Sequence, residues 1–250
     1  AERVVFTSYK DDDYGGDTNG DDDATSAAPG DWGHLYTNNS SNVIDYTLIQ
    51  YSSGGLQCNA SATLSNNIAR YNSTGLYLSG GSPTVSNNEV VQNNQGIYVA
   101  GGTPIIQYNE VISSTSYGLH VSGGSPVVQD NLFEDSGIFH LALGPEGNPT
   151  YAGNTFSGSG GGVVRVDGGT NDNGSDVTWE NVQGMDWPYV LYSDLTVYAG
   201  GALRLPPGIV VKAQNSTVDL RVYGTLDVQG TAAERVVFTS YKDDDYGGDT

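Results

Sequence analysis

The sequence predicts an all-β chain folded as a parallel β-solenoid, in which short strands wind into coils of about 21–23 residues. The first observation is a repeated pattern: Gly75 opens GLYLSGGSPTVSNNEVVQNN, Gly96 opens GIYVAGGTPIIQYNEVISS, and Gly118 opens GLHVSGGSPVVQDNLFEDS. The second is that glycine-rich turns separate the short apolar runs in each copy. Because one coil cannot bury its own apolar face, the pattern requires coils stacked above and below one another.

Equivalent positions in successive coils form columns of apolar residues, which we expect to point inward. The first column is Leu35, Leu56, Leu76, Ile97, Leu119, Ile138 and Val163. The second is Val43, Leu64, Val85, Ile106, Val128 and Tyr151, and the third is Leu48, Ala69, Val90, Val111, Phe133 and Phe156. The single cysteine, Cys58, aligns with Leu78, Val99 and Val121, which predicts a thiol in the core.

A polar column lies between two of these apolar columns. It contains Asn67, Asn88, Asn109, Asn131 and Asn154, with Tyr46 at the equivalent place one coil earlier. Stacked asparagines can hydrogen-bond along an axis, as they do in cross-β stacks. A buried amide without partners costs about 1–3 kcal/mol, so we expect a continuous inward ladder.

The columns and glycine turns resemble the right-handed parallel β-helix of the pectate-lyase-like superfamily. The resemblance covers most of the chain and implies the fold. It leaves the chemistry open, because this fold hosts lyases, hydrolases, adhesins and passive fibres.

The two ends of the chain have the same sequence. Residues 1–18, AERVVFTSYKDDDYGGDT, recur unchanged at 233–250, an offset of 233 − 1 = 232 residues. We interpret residues 1–250 as a single β-helix unit of a tandem array, in which 233–250 begin the next copy; a cloning duplication is the alternative. Loop insertions are expected near 11–31 and 167–178. The run GTLDVQGTAAERVVFTS, which begins at Gly224, resembles terminal coils of large secreted bacterial β-helix proteins, and this implies a protein of the surface-fibre or adhesin type.

The first predicted loop is acidic and suggests a cation site. Its run D-T-N-G-D-D-D places oxygen side chains at alternate positions, which suits a hard cation. It resembles the calcium loops of dockerin and thrombospondin type 3 repeats, although Asp22 stands where an EF-hand has glycine. The predicted calcium ligands are Asp17, Asn19, Asp21 and Asp23, assisted by Asp11, Asp12 and Asp13. A solvated acidic loop is the alternative.

An aromatic stripe is predicted on the outer face, beside the first apolar column. It consists of Tyr36, Tyr77, Tyr98, His120 and Phe139, with Gln57 in the second coil. Rings stacked at the coil spacing of about 4.8 Å would stiffen the solenoid. The alternative is a binding stripe for sugar rings or a neighbouring fibre. No partner carboxylate for His120 is evident, and His34 and His140 are isolated, so none is predicted to be catalytic.

Charge and missing motifs limit the function. The chain has 29 acidic and 9 basic residues and a net charge of −20, which disfavours nucleic acids and anionic membranes. Nucleotide-binding, hydrolase and metalloprotease motifs are absent, so no enzyme activity is expected. We expect a calcium-stabilised structural repeat of a long extracellular or cell-surface fibre, stacked end to end on copies of itself. The alternatives are an adhesin or carbohydrate-binding module, and a polysaccharide lyase or hydrolase.

Overall fold

Short parallel strands carry nearly all of the regular structure in the computed structural model, which describes residues 2–22, 24–171 and 174–248. In chain order they are β1 (Val4–Phe6), β2 (Leu35–Thr37), β3 (Val43–Asp45), β4 (Thr47–Gln50), β5 (Leu56–Asn59), β6 (Thr63–Ser65), β7 (Ile68–Arg70), β8 (Thr74–Gly80), β9 (Thr84–Ser86), β10 (Glu89–Val91), β11 (Gln95–Val99), β12 (Ile105–Gln107), β13 (Glu110–Ile112), β14 (Tyr117–Gly124), β15 (Val127–Gln129), β16 (Leu132–Glu134), β17 (Phe139–Gly147), β18 (Thr150–Ala152), β19 (Thr155–Ser157), β20 (Val164–Val166), β21 (Gly169–Asn171), β22 (Asp176–Thr178), β23 (Tyr189–Leu191), β24 (Leu195–Val197), β25 (Ala202–Leu205), β26 (Val210–Ala213), β27 (Leu220–Val222), β28 (Thr225–Val228) and β29 (Val237–Ser240). A 3₁₀ turn, Val182–Gly184, is the one helical element among the described residues.

Every third strand joins the same sheet, so the chain winds as a three-sided solenoid. The long sheet has ten strands in the order β2-β5-β8-β11-β14-β17-β20-β23-β26-β29. The seven-stranded sheet runs β1-β4-β7-β10-β13-β16-β19, and a six-stranded sheet runs from β3 to β18. All strand pairs are parallel, which confirms the predicted fold class. No helix in the described ranges is long and apolar enough to cross a bilayer.

The inward columns form one continuous core, and most of their predicted members are confirmed. Leu56, Leu76, Ile97 and Leu119 pair in register and are fully buried, as is Cys58. Burial of such side chains contributes about 1.5–3 kcal/mol each. The stacked core is therefore the main source of stability.

Four predicted members of the inward columns are wrong, although two of them, Leu48 and Val163, are buried. Leu141 and Val164 continue the first column, whereas Ile138 is 53% exposed and Val163 packs in a separate small cluster. Gly137-Ile138-Phe139 imitates the glycine, apolar and aromatic order of Gly96-Ile97-Tyr98, but the strand pairs three residues further on, at the same 22-residue spacing as in the coil before.

In strands β3 and β4 the errors are shifts of one residue. Ile44, not Val43, stands beside Leu64, and Ile49, not Leu48, stands beside Ala69. A one-residue shift moves a side chain to the opposite face of a strand.

The asparagine column is a buried ladder. The Oδ1 atom of Asn109 accepts both the backbone N–H and the Nδ2 of Asn88 at 2.9 Å. Asn109 makes the same two bonds to Asn131, and its Nδ2 also donates to the Val85 carbonyl oxygen. Tyr46 is not the first member, because it is exposed in a left-handed corner. At the other end, Gln183 Oε1 accepts from Asn154, so the 3₁₀ turn caps the ladder.

A second ladder, not predicted above, runs parallel to the first along another corner. Asn72 Oδ1 accepts from Ser52, and the backbone N–H and Nδ2 of Asn72 donate to Asn93 Oδ1 at 2.9 and 3.1 Å. Buried Ser114 and Ser136 continue this corner. Its members follow those of the first ladder by five residues, which is the sequence signal that would have revealed it.

The later coils have a different cross-section. Residues 167–178, expected to be a loop insertion, instead contain β21 and β22, which begin two three-stranded sheets. Arginines link these coils across their outer surfaces: Arg204 binds Asp176 on one side and Asp227 on the other. The hydrogen bond from Arg204 lowers the pKa of Asp176.

Candidate functional site

The outer face of the long sheet carries a single column of side chains from one end to the other. In register order it is Tyr36, Gln57, Tyr77, Tyr98, His120, Ala142, Arg165, Val190, Lys212 and Thr239. Phe139, predicted to belong to this stripe, does not: it pairs with Tyr117 and packs with Val163 and Val190. The reason is the same three-residue misalignment: Ala142, and not Phe139, stands 22 residues after His120.

Aromatic rings in this column line an open groove. The ring centroids of Tyr77 and Tyr98 are 5.1 Å apart, and those of Tyr98 and His120 are 5.0 Å apart. The groove has a volume of about 480 Å³, and His34 and Gln57 lie toward its other end. It offers ring faces beside hydrogen-bonding groups.

His120 has a carboxylate neighbour that sequence reasoning missed. Its Nε2 lies 3.3 Å from Asp167 Oδ2, and Arg165 Nε donates to the other oxygen of Asp167 at 2.7 Å. The Arg165 guanidinium also lies 4.2 Å from the ring centre of Tyr192. Burial lowers the pKa of His120, which favours the neutral imidazole although Asp167 opposes the shift. One coil lies between those of His120 and Arg165, so the proximity of Asp167 to His120 is not evident from the sequence.

His140 lies inside the solenoid and not on this face. It is 3% exposed, its Nδ1 lies 3.1 Å from Ser136 Oγ, and its ring packs against Phe156 and Trp187. Burial lowers its pKa to about 4, against the opposing effect of the Asp135 carboxylate. His140 is therefore a neutral core residue at neutral pH.

We expect His140 to make stability depend on pH. In the unfolded chain His140 is protonated below about pH 6.5, the ordinary pKa of histidine. In the folded chain it stays neutral down to about pH 4. The free energy of unfolding should thus fall by about 2–3 kcal/mol between pH 7 and pH 4.5 through this residue alone. Urea titrations of the wild type and His140→Gln at both pH values check this; equal pH slopes in the two proteins would contradict it.

The acidic loop between β1 and β2 is organised by its own backbone. Asp17 accepts hydrogen bonds from the N–H groups of Gly20, Asp21 and Asp22, and those of Asp22 and Asp21 do most to lower its pKa. Asp21 in turn accepts from Thr25 and from the backbone of residue 24.

The structure brings together only some of the predicted ligands. Carboxylate oxygens of Asp12, Asp17 and Asp21 lie within 4.8 Å of one another. Asn19 donates to Thr25, while the buried Asp11 accepts from Gln50 Nε2 at 2.6 Å and from Thr7. The Asp13 N–H donates to Asp11, and Asp23 lies outside the described residues.

The repeated segment has the same local turn in both of its copies. The Ser8 hydroxyl accepts from the Lys10 N–H at 3.1 Å, and the equivalent Ser240 accepts from Lys242 at 3.2 Å. The two copies nevertheless pair on opposite sides. The first copy supplies β1, which pairs with β4, and the second supplies β29, which pairs with β26.

Beneath the second copy lies a buried lysine. Lys212 is 0% exposed although it stands on the outer face of the long sheet. Its Nζ donates to the carbonyl oxygen of Gly248 at 2.9 Å, within the acidic turn. A buried ammonium needs such partners, because desolvating a charge without compensation is costly.

This architecture and its stacked asparagines define a parallel β-helix protein. The model of the NosD family, described as a periplasmic copper-binding protein, matches residues 17–185, about two thirds of the sequence. The chain belongs to the NosD family. No curated protein and no solved structure matches the chain.

Family membership corrects the expected cofactor, since the family is described as copper-binding and nothing supports calcium. The expectation of calcium is wrong. Copper prefers imidazole and sulfur donors, yet such donors do not converge here. Cys58 is buried in the core, His140 is packed among aromatic rings, and His34 stands four coils from His120, about 19 Å at the coil spacing.

Among the described His, Cys, Asp and Glu residues, the one group close enough to share an ion consists of three aspartates. Hard carboxylate oxygens suit other cations better than copper. The described residues therefore do not fit a copper centre.

Proposed function

We propose that the chain is a structural repeat of a long β-helical rod outside the cytoplasm, in which each unit continues directly into the next. Its partners in this role are copies of itself, end to end. The family description as periplasmic supports a location beyond the cytoplasm. The role requires no catalysis.

The observation that carries the proposal is the behaviour of the repeated strand. As β29 it offers one edge to the preceding coil, and as β1 it offers the other edge to the following coil. In an array, one strand would use both edges at once. The ten-stranded sheet of one unit would then continue as the seven-stranded sheet of the next. Because the two sheets share this strand, the continuous sheet would have sixteen strands.

Residues of the repeated strand that point inward in one unit also point inward in the next across such a joint. Phe238 stands beside buried Val211, and its equivalent Phe6 stands beside buried Ile49. In the single chain these phenylalanines are 50% and 37% exposed, because each has a neighbour on one side only. A joint would cover both sides of one ring, since the two registers place it in the same inward column.

The length of the rod follows from the coil count. The long sheet has ten strands, and the last belongs to the next copy, which leaves nine coils per unit. At about 4.8 Å per coil, each unit adds about 43 Å. The surface charge of −20 for the chain keeps neighbouring rods apart in solution.

A chain with two complete units tests the proposal. Its maximum dimension in small-angle X-ray scattering should exceed that of the present chain by about 43 Å, with an unchanged cross-sectional radius. A two-unit chain that folds into separate bodies with a flexible connection, or that widens without lengthening, would contradict it.

The groove favours a second candidate function, the binding of glycans. Stacked Tyr77 and Tyr98 offer ring faces to sugars, and neighbouring polar groups can bind hydroxyls. A glycan array with the wild type and a Tyr98→Ala variant tests this role. Binding lost in the variant supports it, and no binding by the wild type argues against it.

A further inference from the structure

Two exposed tyrosines stack on one another at an outer corner of the later coils. Tyr198 follows β24 and Tyr223 follows β27, and these two strands pair in register. The ring centroids of the two tyrosines are 5.8 Å apart, and the ring planes differ by 23°. The residues are 47% and 67% exposed, so water and small molecules can reach both phenol groups.

The backbone fixes this arrangement. The Val197 carbonyl oxygen accepts hydrogen bonds from the N–H groups of Tyr223 and Gly224, at 2.7 and 2.9 Å. A Cβ at Gly224 would lie 2.1 Å from the Tyr198 carbonyl oxygen, so only glycine lets the two corners approach this closely. The Gly201 N–H donates to the same carbonyl oxygen at 2.9 Å. The two rings are therefore held side by side while both stay open to solvent.

Two other stacked tyrosine pairs are less suited to oxidation. The ring centroids of Tyr51 and Tyr71 are 5.7 Å apart, but the Arg70 guanidinium lies 5.4 Å from the centre of the Tyr71 ring. Burial raises the pKa of Tyr51. A neighbouring cation opposes the loss of an electron from a ring, and burial opposes the loss of the phenol proton. Tyr77 and Tyr98 are more inclined to one another, at 34°, and both are half-buried.

The chain cannot join two of its coils through a disulfide. Its one cysteine, Cys58, is buried in the core, whereas tyrosine occurs 17 times. The proposed location outside the cytoplasm belongs to the compartments in which oxidative cross-links form and persist. A pair of exposed tyrosines could supply the covalent link that cysteine does not.

We propose that Tyr198 and Tyr223 are a site of oxidative cross-linking, at which hydrogen peroxide and a haem peroxidase join the two rings as dityrosine. Each phenol gives up one electron and its O–H proton, and the two phenoxyl radicals form a carbon–carbon bond between ring positions ortho to the oxygens. The hydrogens on the joined carbons move to the oxygens and restore both phenols. One molecule of hydrogen peroxide takes up the two electrons and two protons and leaves as two molecules of water.

The cross-link would brace neighbouring coils of a single unit, so the inference does not depend on the proposed rod. It would close a loop of 223 − 198 = 25 residues. Closing such a loop restricts the unfolded chain, as a disulfide does, and should lower the equilibrium constant for unfolding by at least about tenfold.

Oxidation followed by peptide mapping tests the inference. Dilute protein is treated with hydrogen peroxide and a peroxidase, denatured and digested with trypsin. Trypsin cuts after Arg204 and Arg221, so Tyr198 and Tyr223 leave in separate peptides unless they are joined. We expect mass spectrometry to find the two peptides linked, lighter than their sum by two hydrogen atoms, together with dityrosine fluorescence in a chain that remains a monomer in denaturing gels.

Phenylalanine variants provide the controls. Tyr198→Phe keeps the ring but removes the phenol, so it should lose the linked peptides. Tyr108→Phe is the matched control, because Tyr108 is 54% exposed and contacts no other tyrosine ring among the residues that the structure describes. Its yield of linked peptides should equal that of the wild type. Oxidation should raise the urea midpoint of the wild type and leave that of Tyr198→Phe unchanged.

A second oxidant covers the case in which the peroxidase is too large to reach the corner. A photoexcited ruthenium(II) complex with persulfate oxidises exposed phenols without an enzyme. Absence of the linked peptides with both oxidants would overturn the inference. An equal yield of a link between Tyr51 and Tyr71 would overturn the selectivity, and an unchanged urea midpoint in the linked chain would overturn the bracing role.

Discussion

Replacing Asn109 with alanine will lower the free energy of unfolding by about 4 kcal/mol, because it interrupts the asparagine ladder in the middle of the rod. Its Oδ1 is the acceptor for two donors of Asn88, and its Nδ2 donates to Asn131 and to the Val85 carbonyl oxygen. Alanine leaves these groups buried without partners, each at about 1–3 kcal/mol. Because the coil relaxes partly, the expected loss of stability is smaller than the sum of the costs of these unpaired groups.

Urea unfolding of Asn109→Ala, with Asn38→Ala as the control, measures this effect. Asn38 is exposed in the turn before β3, so its replacement should change the free energy of unfolding by about 0.5 kcal/mol or less. A loss below about 1 kcal/mol for Asn109→Ala would show that the ladder is not a major source of stability.

Replacing Gly96 with alanine will destabilise the protein by about 3 kcal/mol through a steric clash. A Cβ at this position would lie 2.4 Å from Val111 Cγ1, 2.5 Å from the Gly118 carbonyl oxygen and 2.8 Å from Ser114 Oγ. Two of these neighbours belong to the core or the backbone of stacked coils, which cannot move apart without breaking sheet hydrogen bonds. The glycine thus sets the close approach of adjacent coils.

Gly33→Ala is the matched control, since a Cβ there meets nothing within 4 Å. Thermal unfolding should show a large decrease in melting temperature for Gly96→Ala and a small change for Gly33→Ala. Equal shifts in the two variants would indicate a general loss of glycine flexibility and would contradict the clash.

The periodicity of the sequence was sufficient to predict the fold, because each coil repeats one arrangement of glycine turn, inward apolar residue and asparagine. It was insufficient where a similar local pattern occurs out of register. Gly137-Ile138-Phe139 imitates Gly96-Ile97-Tyr98, yet Leu141, and not Ile138, lies in the core, and Phe139 is not in the outer stripe. A local alignment cannot distinguish the two positions, because the register is fixed by the neighbouring strand.

The candidate site was harder to predict, since its parts come from distant coils. Lys212 and Gly248 are 36 residues apart, and Asp167 reaches His120 across two coils. In sequence, Lys212 is an ordinary basic residue at the end of an apolar run. Its importance arises from the turn that buries it, and this turn lies in the second copy of the repeated segment.

A crystal or cryo-electron microscopy structure of a chain with two complete units tests the central claim most directly. We expect a single uninterrupted solenoid in which Phe238 lies in the core between Val211 and the second unit's Ile49, with the Lys212 ammonium buried beneath the acidic turn. Two separate solenoids, with Phe238 exposed to solvent or paired in another register, would contradict it.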